Sequence, residues 1–381
     1  MRVSRLIGRV SGSEVSGPTL LCLGGIHGNE PSGVLALKRV LATLEQDSTG
    51  LVGQLICFSG NRSALAGNVR HHRLDMNRVW RSEILDRVRE MEVADLRDEE
   101  IELRELDAAL ADVLGEADGL LDLHSTSGPG EPFVTMDDTL QNRSFASALP
   151  VPRVLGLQEA VEGTLTSFII ANAPIPAIGF ESGPHAEEST VDHAAAAVWI
   201  ALETLGALAK GRRTEPAEAR ALLTQRSGGL SAVVEVRYRH AVQPDSEFKM
   251  EPGFHSFQRV ARGQVLALER TGPVKSPVDG LMLMPRYQPI GSDGFFLVRE
   301  VHPVWLGLSA SLRRLRAERW VHLLPGVRRH PERSGSFLTS GKQARGFVQQ
   351  VFQLLGFCRE PTTGHETIMT PRNKPHRPNS S

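Results

Sequence analysis

Between residues 18 and about 210, short apolar runs alternate with stretches of helical spacing. Residues 20–23, 54–58, 119–123, 153–157 and 177–180 are brief, aliphatic and bounded by polar or turn-forming residues, the pattern of buried strands. Residues 32–45, 94–114, 140–148 and 186–209 repeat their apolar positions at three and four residues, which predicts helices with one buried face. In residues 94–114 that face is Leu96, Leu103, Leu106, Leu110 and Val113, and the opposite face is acidic. Strand and helix in alternation predict an α/β sheet covered on both sides.

Beyond residue 210 the pattern changes. Residues 211–229 are polar, contain Pro216 and Gly228-Gly229, and read as a linker. Short apolar runs at 231–236, 264–268, 281–284 and 295–298 are then separated by turns such as Pro252-Gly253 and Asp279-Gly280. Frequent turns without helical spacing predict a small all-β domain over 230–308. Asp279-Gly280 is similar to the turn of biotinyl and lipoyl carriers, but no lysine follows it, so a swinging-arm attachment is not expected. Helical spacing returns at 309–324 and 342–355, giving a helical extension over 309–360. Residues 361–381 are expected to be a disordered tail that turnover does not need. The catalytic part is thereby confined to residues 1–210.

The chain has 381 residues, 40% of them hydrophobic, enough for two cores. Its formal charge of −1 is unevenly spread: residues 309–381 hold 13 Lys and Arg against 4 Asp and Glu, whereas residues 83–107 hold 11 Asp and Glu against 4 Arg. Acidic helix and basic extension could pair with one another or remain two solvated faces. Cys22, Cys57 and Cys358 are odd in number and far apart, which predicts no disulfide framework and fits a reducing compartment. The first ten residues are interrupted by Gly8 and Arg9 before an apolar signal core could form, and no run is long enough to span a membrane. A soluble, cytoplasmic protein without membrane or nucleic-acid partners is expected, with its oligomeric state open.

Two of the predicted strands end in turns that carry metal-binding side chains. His27 and Glu30 follow Gly24-Gly25 at the first, and His124 precedes Ser125-Thr-Ser-Gly128 at the second. Open α/β sheets bind ligands at such strand ends. An imidazole and a carboxylate three residues apart reach one cation at roughly 2 Å each, and His124 from a neighbouring strand would be the third ligand. Three protein ligands leave a position for water, the catalytic rather than the structural pattern of zinc. Glu30 taken alone could equally serve the helix start.

Between these segments, residues 60–80 form a polar loop with Arg70, Arg73, Asn77 and Arg78, candidates for holding anions because the guanidinium fork matches a carboxylate. A solvated charged loop is the plain alternative. His71 and His72 are adjacent, unlike the ligand candidates in setting, and read as loop residues. Hydrolysis needs a base that does not ligate the metal, and Glu181, delivered at the end of the run 177–180, is the candidate. Asp122 lies two residues before His124, on the same side of the strand, and could orient it.

Gly25-x-His27-Gly-Asn-Glu30, Arg70 with Asp75-Met-Asn77-Arg78, Asp122-Leu-His124 and Glu181-x-Gly183-Pro184 occur in the order found in the succinylglutamate desuccinylase/aspartoacylase family, a branch of the zinc carboxypeptidase superfamily. The resemblance covers roughly residues 18–305. It implies a zinc-carboxypeptidase-like mixed sheet flanked by helices, followed by the β domain near the site entrance. It implies one Zn2+ per chain on His27, Glu30 and His124, and an N-acyl amino acid as substrate. Glu181 would take the proton of the attacking water, and Arg70 would polarise the amide carbonyl. Asn77 and Arg78 would grip the α-carboxylate, with Asp75 orienting the loop.

One departure stands out. Aspartoacylases draw a further arginine for the substrate's side-chain carboxylate from ahead of the glutamate strand, yet no Lys, Arg or His lies between Arg153 and His185. An N-acyl amino acid with a neutral or basic side chain is therefore at least as well suited as N-acetylaspartate. Arg143, Arg237, Arg239 and Arg286 are the residues that could substitute, and Tyr287 lies near a tyrosine position of the family. The expected function is zinc-dependent hydrolysis of a small N-acyl amino acid. A metallocarboxypeptidase for short peptides and a non-catalytic metal-binding protein are the alternatives.

Overall fold

A computed structural model describes residues 1, 3–12, 17–340, 347–360 and 366–371. Its first part holds strands β1 (Leu6–Ser11), β2 (Thr19–Gly24), β3 (Gln54–Ser59), β4 (Gly119–Thr126), β5 (Phe133–Met136), β6 (Arg153–Leu155) and β7 (Ala177–Pro184). The helices between and after them are α1 (Ser32–Gln46), α2 (Arg62–Gly67), α3 (Ser82–Glu90), α4 (Glu99–Leu114), α5 (Leu140–Ala146), α6 (Leu157–Ala160), α7 (Leu165–Asn172), α8 (Ser189–Leu205) and α9 (Glu215–Ser227).

Strands β3, β2, β4 and β7 are parallel neighbours, and every residue in them is buried. Such strands read as unbroken apolar runs because both faces are covered. One face packs on Leu37 and Val40 of α1, Val198 and Leu202 of α8 and Leu223 of α9. Leu85 of α3, Leu103 and Leu106 of α4 and Ile169 of α7 cover the other. Strand β1 is antiparallel to β3 and β5 antiparallel to β7, so the sheet is mixed.

Three expectations need correction. The polar stretch 211–229 is not an open linker: Pro216 stands in the first turn of α9, where a missing donor costs nothing, and Ala219 and Leu223 join the core. The acidic face of α4 is not simply solvated. Glu99, Glu102 and Asp107 are buried, with Glu102 paired to Arg5 and Arg62, and Asp107 to Arg89. The β region is not a detached unit either. It comprises β8 (Val233–Ala241), β9 (Lys249–Met250), β10 (Arg259–Val260), β11 (Val265–Glu269), β12 (Gly272–Lys275), β13 (Gly280–Leu283) and β14 (Asp293–Glu300). β8 pairs with β6 through Val234 and Val154, and β14, β13 and β10 follow, so one 11-stranded sheet runs through both halves.

The C-terminal extension mixes helix and strand. After α10 (Pro303–Arg314) and a 3-10 turn (Ala317–Leu323) come β15 (Val327–Arg329), β16 (Phe337–Ser340), α11 (Phe347–Leu354), β17 (Phe357–Glu360) and β18 (Glu366–Pro371). Strand β18 falls in the stretch expected to be disordered. It is inner in the sheet β15-β16-β18-β17, and its Met369 packs with Phe337, Phe352 and Phe357. Residues 342–346 of the expected second helix, and residues 361–365 and 372–381 of the tail, lie outside the described residues. Among the described residues no helix is long and apolar enough to cross a membrane.

Candidate active site

The site lies where β2, β4 and β7 end side by side. Gly24 of β2 is the register partner of Leu123, and His124 is that of Glu181. The chain leaves β2 through Gly25, whose φ of +73° suits glycine, and then passes so close to α2 that a Cβ on Gly28 would stand 2.0 Å from the Ala64 carbonyl carbon. Only a bare backbone fits there. That crossing carries His27 and Glu30 to the end of β4.

The Glu30 carboxylate stands between two imidazoles, its Oε1 2.9 Å from His27 Nδ1 and its Oε2 3.1 Å from His124 Nδ1. The three side chains are buried and their ligand atoms lie within 4.8 Å of one another. Each histidine has a carboxylate behind it: His27 Nε2 is 3.0 Å from Asp75 and His124 Nε2 is 3.0 Å from Asp122. Burial works against charge on Glu30, but His27 and His124 outweigh it and hold its pKa well below the usual range. Asp122 and Glu30 likewise overcome burial at His124 and raise its pKa well above the ordinary value.

Glu181 lies beside this cluster, buried, with Oε2 unpartnered. Burial pushes its pKa up to about 8 against the pull of His124. Arg70 donates to Asp75 Oδ2 from Nη2 at 2.9 Å and from Nε at 3.3 Å, and its Nη1 is 3.5 Å from Glu30. Its Nη2 also stands 2.9 Å from His27 Nε2. Asp75 thus holds both Arg70 and a candidate metal ligand. The loop around them is fastened by Glu99 of α4, which accepts from the backbone N–H of His72 at 2.6 Å, Arg73 at 3.0 Å and Leu74 at 3.2 Å.

Asn77 and Arg78 also line the cleft. Asn77 Oδ1 accepts from Leu165 N at 3.0 Å, and Arg78 Nη2 donates to Asp293 Oδ2 at 2.9 Å. Arg73 stands apart, exposed, 4.0 Å from Asp98, and His71 and His72 do not line the cleft. Of the four arginines that could substitute, Arg143 pairs with Asp138, Arg237 with Glu235 and Arg239 with Asp293, whereas Arg286 lines the cleft. Tyr287 holds backbone instead, donating to Glu251 O at 2.8 Å and accepting from Phe254 N at 3.0 Å.

Sequence reasoning missed His185, Asp293 and the role of Glu99. His185 is four residues after Glu181 and its Nδ1 is 2.7 Å from Ser125 Oγ. A histidine so close to the strand end was the available signal. Nothing local marks Asp293 or Glu99, whose importance comes from partners distant in sequence. Gln158, Thr164, Thr166, Leu157 and Val161 give the cleft a neutral part of its lining, in keeping with the absence of a cation from that stretch.

The family model for the succinylglutamate desuccinylase/aspartoacylase catalytic domain matches residues 16–204. Solved structures share the fold. A succinylglutamate desuccinylase/aspartoacylase from Rhodobacter sphaeroides has a TM-score of 0.56 and 18% identity, over 77% of this chain and 88% of that one. A succinylglutamate desuccinylase from Vibrio cholerae has a TM-score of 0.54 and 16% identity, over 77% and 85%. The product-bound ectoine utilization protein EutE (DoeB) from Ruegeria pomeroyi has a TM-score of 0.54 and 19% identity, over 77% and 87%. Through residues 16–204, which carry its catalytic domain, the chain belongs to the succinylglutamate desuccinylase/aspartoacylase family of hydrolases.

Proposed function

We propose that the protein is a zinc-dependent deacylase that hydrolyses the amide bond of a small N-acyl amino acid. The observation that carries this reading is the convergence of His27 Nδ1, His124 Nδ1 and the Glu30 carboxylate beside an unpartnered, buried Glu181. The donor set fits zinc, because Glu30 stands between the two imidazoles and the Asp122 carboxylate behind His124 Nε2 favours a proton there, leaving the His124 Nδ1 lone pair for a cation. A bound ion would supply a Lewis acid and a water ionisable near pH 7.

The side chains supply the rest. Glu181 accepts the proton of the attacking water and passes it to the departing amine; burial alone keeps it protonated to about 8, and a cation held beside it would favour the ionised form that this transfer needs. Arg70, fixed by Asp75, donates to the oxygen that becomes negative as the carbonyl turns tetrahedral. Asn77 and Arg78 form the substrate end of the cleft. The neutral part of its lining favours an amino acid without a side-chain carboxylate. None of the three cysteines is bridged, which supports a reducing, cytoplasmic setting.

The test is amino-acid release from N-acetyl, N-formyl and N-succinyl amino acids by the zinc-loaded protein, beside His27→Ala. Turnover of at least one member that disappears in the variant is expected. No turnover of any member by a stoichiometrically loaded protein would remove the deacylase reading.

A further inference from the structure

Of the fifteen exposed large apolar side chains among the described residues, six lie in one short part of the C-terminal extension. They are Val304, Trp305 and Leu308 of α10, Leu315 directly after it, and Trp320 and Leu323 of the 3-10 turn. Helix α10 is held by its other side. Ser309 Oγ and Arg313 Nε donate to the Leu354 carbonyl at 2.6 and 2.9 Å, Leu306 packs on the core of the catalytic half, and Leu312 joins Phe352 and Phe357. Val304, Leu308, Ser311 and Leu315 recur at four, three and four residues, so they form a second stripe along the helix, and all four are exposed. Apolar positions at helical spacing ordinarily cover a core, and this stripe covers none. Arg316 then leaves the helix at a φ of +54°, and Val321 returns to the core that holds Leu312. Trp320 and Leu323 stay outside, 66% and 68% exposed. A concentration of large apolar side chains open to water marks a surface that is covered in use.

Charge decides what covers it. Residues 301–331 hold six arginines and one acid, Glu318, in a chain whose formal charge is −1. Arg314, Arg316 and Arg319 are exposed among the apolar side chains. A second copy of the chain, docked about a two-fold axis, would bring these arginines against themselves, and like charges oppose that pairing. A nucleic acid would answer the arginines but not Val304, Leu308, Leu315 and Leu323, which cannot stack on bases as aromatic rings do. An anionic bilayer answers both kinds of group. Indole rings settle at the level of the headgroups, aliphatic side chains enter the acyl boundary, and guanidinium groups meet lipid phosphates.

We propose that α10 and the turn after it form a docking surface whose occupant is the anionic face of a lipid bilayer. The protein lies on the membrane without crossing it, contrary to the expectation of no membrane partner and in keeping with the absence of a spanning helix among the described residues. The surface stands outside residues 16–204, the part matched by the family's catalytic domain, and none of its residues lines the active cleft. It therefore adds a location rather than a chemical step, and it does not depend on the deacylase reading.

The experiment is flotation of the full chain with vesicles of phosphatidylcholine alone and of phosphatidylcholine mixed with phosphatidylserine, at low and at physiological salt. Binding to the anionic vesicles is expected to be at least ~10-fold tighter than to the neutral ones and to weaken as salt rises. Leu315→Ser combined with Leu323→Ser should weaken it by ~10-fold or more, since each large apolar side chain withdrawn from water is worth about that factor. Arg314→Gln combined with Arg319→Gln should remove most of the preference for anionic vesicles. All four side chains are exposed, so melting temperatures should match wild type. No binding to either vesicle, or binding indifferent to both pairs of substitutions, overturns the proposal. So does a dimer in sedimentation that the leucine substitutions dissociate, which would put a second copy on the surface. Binding of polyuridylate as tight as that of vesicles, lost in the arginine variant, would likewise overturn it in favour of nucleic acid.

Discussion

Asp122 precedes His124 by two residues on β4, and its Oδ2 stands 3.0 Å from His124 Nε2, on the side of the ring away from Glu30. Strand alternation puts both side chains on one face, so the partnership is built into the local sequence. Asp122→Asn keeps the shape but removes the charge that fixes the ring. Zinc affinity is expected to fall by ~10–100-fold, measured by competition with a chromogenic chelator. An unchanged affinity would remove Asp122 from the support of the metal site.

Glu181→Gln should keep zinc and lose hydrolysis, and it has a second signature in the metal-free protein. Burial raises the Glu181 pKa from 4.5 to about 8. The folded chain therefore keeps a proton that the unfolded chain releases across that window, and stability declines as pH rises from 4.5 through 8. Glutamine does not titrate. In chelator, the variant should melt close to wild type near the bottom of the window and above it at the top, a gap on the order of a few kcal/mol. Melting curves that stay parallel across the window would contradict a raised carboxyl.

Arg70→Met removes the guanidinium proposed to stabilise the oxyanion while Asp75 and His27 remain. A fall in kcat of ~10²–10³ is expected, with KM changed much less. Single-turnover rates on the best panel substrate give the measurement, and an unaffected rate would exclude Arg70 from the chemistry.

Gly28→Ala tests the crossing of the metal turn over α2. The added methyl would meet Ala64 backbone at 2.0 Å, and the nearest atoms, Ala64 C and O and Leu65 N, are all backbone with no flexible end to yield. Overpacking of that kind costs about 1–3 kcal/mol or more. The variant should melt lower and lose zinc together; retention of both would mean the turn has slack that the packing hides.

The C-terminal strand gives a prediction opposite in its two halves. Stopping the chain after residue 371 leaves β18 in place, whereas stopping after residue 361 removes the strand that pairs with both β16 and β17. The shorter chain should become protease-sensitive after α10 yet still bind zinc. Limited proteolysis with mass analysis distinguishes the two, and equal resistance would show that β18 is dispensable.

Much of the catalytic half is legible in sequence because β2, β3, β4 and β7 are buried on both faces and therefore announce themselves as apolar runs. The candidate ligands stand at the ends of those runs, next to the glycines that let the chain turn. Helix α9 was hidden by its polar exterior and by Pro216, which looks like a breaker and is a helix starter. The junction of β6 with β8 was hidden because strand pairing is a long-range choice that no local pattern records. Asp293 was invisible for the same reason, its partner Arg78 lying 215 positions away.

That separation matters while the chain is being made. A ribosome has delivered His27, Glu30, His124 and Glu181 well before Asp293 and Arg286 emerge. A chain halted between β7 and β14 would hold the ligands for an ion without the side chains that complete the substrate end. On the proposed zinc reading, the candidate ligands and the far end of the cleft thus enter the polypeptide at separate times.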